Sequence, residues 1–202
     1  VVSLLGSVLG SAPSEAAAGA VLDAIAQWVR YMTGEALAES GVVEAMFDSL
    51  AGVSARGPML EGLAAVLLSI IEVSEVLMSH QLADQYDSLA PEEYDEMLES
   101  QAEYVDVVGA VFPRIVALTS SFDASAPIAD VLLRLIVETG ISYQSYIQVL
   151  NSDETMAYAS FMVELLTVDD EDVTSSVLHF WRIFIDSLGG AIAHDSINVT
   201  EQ

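Results

Sequence analysis

Cysteine is absent from this chain of 202 residues, and so is lysine. Without cysteine there are no disulfides and no thiolate chemistry. Without lysine, the basic residues are five arginines, Arg30, Arg56, Arg114, Arg134 and Arg182, against 31 carboxylates. Phosphate recognition needs clustered Lys and Arg, so this balance argues against a nucleic-acid partner. It disfavours anionic membrane surfaces for the same reason. No uncharged apolar run approaches the ~18 residues that a membrane span needs. The opening stretch VVSLLGSVLGSA has no basic leader and reads poorly as a signal peptide. The NVT at Asn198–Thr200 therefore reads as a chance match to a glycosylation sequon. Also missing are a GxSxG elbow, a Gly-rich phosphate loop and an HExxH helix. No cofactor is expected, and the chain reads as non-enzymatic.

What is there is acidic and apolar at once. The formal net charge is -26, hydrophobic residues make up 53%, and mean hydropathy is +0.50. Disordered acidic chains are poor in apolar residues, so this one should fold. An acidic surface speeds the approach of basic partners. Solubility in a salt-adapted organism is the plainer meaning of the same charge. The chain opens on Val1 and in mid-pattern, which is expected of a piece of something longer.

Apolar residues recur at steps of three and four almost throughout, and no stretch alternates with period two for long. The spacing predicts helices at about 1–10, 14–32, 41–51, 58–78, 92–121, 127–150, 153–168 and 171–188. Ser14 can cap the second of these, and Ser152 or Asp153 the seventh. Pro58 fits a first helical position, where its missing N–H costs nothing. TGEALAESG reads as a turn, and residues 79–91 as a connecting loop. Pro113 should kink or end its helix, a bend is expected at Gly140, and Gly189–Gly190 should stop the last helix. Helix pairs recur every ~40–45 residues, the period of HEAT-type arrays. The expected fold is all-α, an α-α superhelix of the HEAT/armadillo-like solenoid kind with about four helix pairs. A compact bundle remains the alternative ordering of the same helices.

Few residues suggest chemistry. His80, His179 and His194 are far apart, with no partner at metal-ligand spacing. His179 is expected as a packing residue on an apolar helix. DDED at 169–172 lacks the glycine and spaced oxygens of a calcium loop and reads as a helix cap. Trp28 and Trp181 are expected in the core. The most pointed feature is Glu92, Glu96, Glu99, Glu103 and Asp106, which advance by four, three, four and three along one side of a helix. Leu98, Ala102, Val105, Val108 and Phe112 advance along another side. The acidic row is either a solvated face or a docking stripe for Lys and Arg.

VLDAIAQWVRYM, GVVEAMFDSL, YVDVVGAVFPRIVAL, IADVLLRLIVETGISYQSYI and VTSSVLHFWRIFIDSL occur in this order from about Ser14 to Leu188. Together they resemble the importin-β superfamily of nuclear transport receptors, in its transportin-SR and importin-thirteen branch. The resemblance implies a middle HEAT-repeat segment that binds protein cargo and the GTPase Ran and shuttles between nucleus and cytoplasm. Basic cargo, including Arg-Ser-rich domains, would be the partner, with nucleoporins as further contacts. It also implies that the second helix of each pair lines the binding surface, at about Gly41–Leu50, Glu96–Ser120 and Asp153–Val168. Glu44 and Asp48 on the first of these, and Glu96, Glu99, Glu103 and Asp106 on the second, become the partner-binding candidates. Lysine is absent, and residues 79–93 match nothing in the family's pattern. A HEAT scaffold without a transport role, and a small acidic ligand-binding or enzymatic bundle, are the alternatives.

Overall fold

Ser14 opens the first helix of the computed structural model by accepting a hydrogen bond from the Ala17 N–H at 3.2 Å. The structure describes residues 14–53, 57–79, 91–149 and 152–200. The helix expected at 1–10 lies outside the described residues. Among the described residues nine α-helices follow in order: α1 (Glu15–Val29), α2 (Gly34–Glu39), α3 (Val42–Ala51), α4 (Pro58–Ser79), α5 (Pro91–Ser120), α6 (Ala129–Ser142), α7 (Gln144–Val149), α8 (Asp153–Glu164) and α9 (Glu171–Thr200). A 3-10 turn, Leu165–Thr167, lies between α8 and α9. No strand occurs among the described residues.

The helices pack as two layers. In the first, α1 lies on α4, α4 on α6 and α6 on α9. In the second, α2 and α3 lie on α5, and α5 on α8. Helices alternate between layers along the chain, which is the all-α arrangement of stacked helix pairs expected of an α-α repeat fold. One apolar core runs between the layers, through Leu22, Met46, Leu67, Phe112, Ile136 and Phe180. Burying an aliphatic or aromatic side chain of this size contributes about 1.5–3 kcal/mol, so the layers hold each other.

Small residues let α1 and α4 cross closely. A Cβ added at Gly19 would lie 2.8 Å from Pro58, and one at Gly62 would lie 2.7 Å from the Leu22 Cβ. Only glycine lets these backbones approach so closely.

Several elements differ from the sequence expectation. TGEALAESG contains the helix α2 rather than a turn, with Thr33 as its cap. Gly41, at φ 69°, then reverses the chain into α3. Pro113 does not end α5. It forfeits one backbone hydrogen bond, but Val107, Val108, Val111, Phe112 and Ile115 are buried around it and keep the helix in place. The helix expected at 127–150 is two helices, parted at Tyr143. Tyr143 is fully buried, and its hydroxyl lies 3.1 Å from the Ser74 hydroxyl of α4. Gly189 and Gly190 do not stop α9, because neither takes the left-handed conformation that a glycine stop requires.

Candidate partner-binding surface

The second layer brings α3, α5 and α8 side by side, and four of the six acidic candidates, Glu44, Asp48, Glu103 and Asp106, have described settings. Asp48 is exposed on α3, with its Oδ1 3.5 Å from the Arg114 guanidinium of α5. Asp106 on α5 is exposed. Glu44 is half-buried on α3, and its Oε2 is enclosed with no hydrogen-bond partner. Glu96 and Glu99 lie on α5, but their side chains lie outside the described ones.

Glu103 is built into the fold. Its Oε2 accepts from the Gly34 N–H at 2.7 Å, at the first turn of α2. Free N–H groups and the helix dipole both favour a carboxylate there. Gly34 is needed for the approach, since a Cβ at that position would lie 2.6 Å from the Glu103 Cβ. The acidic row is therefore not one uniform solvent-facing stripe. Helix α5 is also turned slightly from the expected apolar stripe. Tyr104, Val107, Val108, Val111, Phe112 and Ile115 are buried, while Val105 is 49% exposed.

The tryptophans separate. Trp181 packs against the core, edge-on to Phe180 and Phe184, with its Nε1–H 3.5 Å from the Met162 carbonyl. Trp28 is 52% exposed and is not a core residue. Helix α1 packs its buried face, Leu22, Ala26 and Val29, on α4. Trp28 falls to the side, on an apolar strip with Ala20, Val21, Ala24 and Ile25.

Two further sites were not evident in the sequence. One is a buried tyrosine group. The Tyr158 hydroxyl donates to the Ile136 carbonyl at 2.7 Å, and Tyr143 meets Tyr104 edge-on with centroids 6.1 Å apart. Burial pushes all three hydroxyls above the usual tyrosine range. The Ser74 hydrogen bond partly offsets this at Tyr143.

The other is a groove between α6 and the first turns of α9, about 390 Å³ in volume, lined by Asp130, Leu133, Arg134, Val137 and Glu138 on α6. Asp172, Val173, Ser176 and His179 line it from α9. His179 is exposed there, not packed in an apolar interior. Its neighbour Phe180 takes the buried side of the helix instead. At the mouth, the Asp170 Oδ1 accepts from the N–H groups of Asp172 at 3.0 Å and Val173 at 3.1 Å, so the acidic run caps α9. The sequence carried part of the signal for this groove, as the charges of Asp130, Arg134 and Glu138 four apart on α6, with Asp172 the one carboxylate that lines it from α9. The lining residues of the two helices lie far apart in the chain, Glu138 on one and Asp172 on the other, and only the fold joins them.

Among the described residues no group of three or more His, Asp or Glu side chains could hold a metal ion. No family model, no curated protein and no solved structure matches the chain.

Proposed function

We propose that this chain is a helical-repeat binding segment that acts without catalysis and recognises basic protein partners through the carboxylates of its stacked helices. In its fuller form, the reading is a segment of a nuclear transport receptor of the importin-β type. Basic, Arg-Ser-rich cargo and Ran would be its partners, with nucleoporins as transient contacts and shuttling between nucleus and cytoplasm as its itinerary. The observation that carries the reading is the contiguity of α3, α5 and α8 in one layer. These are the helices that the family resemblance makes the binding wall. Helix α5 alone bears Glu92, Glu93, Asp95, Glu96, Glu99, Glu103 and Asp106 against Arg114. Many weak contacts spread over such a wall suit an extended basic partner better than a single deep site.

Binding of a fluorescent Arg-Ser repeat peptide, followed by anisotropy from ~50 to ~500 mM NaCl, tests the charge mechanism. Affinity is expected to fall steeply across that range, and an affinity that does not change overturns it. Ran loaded with a non-hydrolysable GTP analogue, compared with Ran-GDP, tests the transport role on the full-length receptor. Equal binding of both forms, or of neither, leaves a HEAT-repeat scaffold without a transport role.

A further inference from the structure

The groove between α6 and α9 combines an apolar base with an acidic rim. Leu133 and Val137 are buried, and Val173 and Phe122 are half-buried beside them. Glu138 and Asp172 are exposed on opposite helices, and Asp130 and Asp170 complete the carboxylates that line it. Arg134 is the one guanidinium among its described lining residues, and it also borders a second groove with Asp23, Glu61 and the Arg30–Glu72 ion pair. An anionic ligand would meet four carboxylates here. A compact cation would leave the apolar base uncovered.

We propose that this groove seats one arginine or lysine side chain from an extended basic segment of a protein partner, an anchor that rests on the basic-partner reading above. Such side chains pair an aliphatic stem with a charged head. The stem would lie over Leu133, Val137 and Val173, and the head would reach Glu138 and Asp172. The volume falls within the range of sites that enclose most of a bound group. Phe122 and the loop that follows it bound one end, so the entering segment crosses the groove instead of filling it along its length.

The test compares two double variants of the full chain, each losing two carboxylates. E138Q/D172N removes the rim. E39Q/D186N removes exposed carboxylates from α2 and the later part of α9. Binding of a fluorescent Arg-Ser repeat peptide carrying a benzophenone is measured at low salt, with circular dichroism on each protein. The rim variant is expected to bind about 5- to 10-fold more weakly, and the control no more than about 2-fold. Photo-crosslinks on the unsubstituted chain are expected at Phe122–Ala126 or at Ser176–His179. Equal losses in the two variants, or crosslinks confined to α3 and α5, overturn the groove while leaving the basic-partner reading intact. No peptide binding to the unsubstituted chain, even at low salt, overturns both. Should the rim variant fail to fold, the crosslinking positions alone decide the matter.

Discussion

Gly140 and Tyr158 sit so close together that neither can change freely. A Cβ at position 140 would overlap the Tyr158 hydroxyl and come within 2.8 Å of the Phe180 ring. The hydroxyl cannot simply move aside, because it donates to the Ile136 carbonyl at 2.7 Å and the ring is fully buried. G140A is therefore expected to destabilise the chain by about 1–3 kcal/mol, the usual penalty for overpacking. Urea denaturation reads this as a lower midpoint, and an unchanged midpoint would show that α6 and α9 separate more easily than their packing implies. Gly34 is constrained in a different way. It must let a carboxylate and the backbone of another helix come close, so its role is shared with Glu103.

Helix α5 shows how one element accepts two residues that disfavour helices. Gly109 precedes Pro113 by one turn, is exposed, and would have nothing within 4 Å of an added Cβ. G109A should accordingly stabilise the chain by about 0.5–1 kcal/mol, the difference in helix propensity, seen as a higher thermal midpoint. A lower midpoint would mean that the Pro113 turn needs the freedom of glycine. The contrast with Gly140 rests on surroundings that no single helix reveals. The same limit marks what the sequence could tell about the elements. Helices α1, α4 and α8 were legible from Ser14, Pro58 and Ser152, whose side chains or ring act within one turn. Helix α2 was not. It has six residues, and part of its N-terminal satisfaction comes from Glu103, 69 positions later. The carboxylate row on α5 was legible as a period, but the rotation of the helix about its axis was not. That rotation half-buries Glu103 and leaves Val105 exposed. Trp28 was misjudged because periodicity reports an apolar face, not whether a neighbour covers it.

At the scale of the whole molecule, the buried tyrosines tie the two layers together. Tyr104 belongs to α5, Tyr143 follows α6 and reaches α4, and Tyr158 belongs to α8. In the unfolded chain each hydroxyl ionises near pH 10. In the folded chain burial holds each protonated above that point. Above about pH 10 the unfolded state thus binds fewer protons than the folded one, and stability falls with rising pH. Below pH 10 this contribution is fully present. Far-ultraviolet circular dichroism should show helix loss beginning above about pH 10, together with the rise of phenolate absorbance. Phenolate that appears well before the helices melt would mean that the hydroxyls reach water in the folded state.

Helices α4 and α6 of the first layer are held both by their neighbours in that layer and by α5 across the core. A pull that drew α1 and α9 apart would load both sets of contacts at once, like strands of a rope rather than links. The glycine-tight seam between α1 and α4 should be among the last to part, so the molecule would lengthen by releasing helices and not by sliding them.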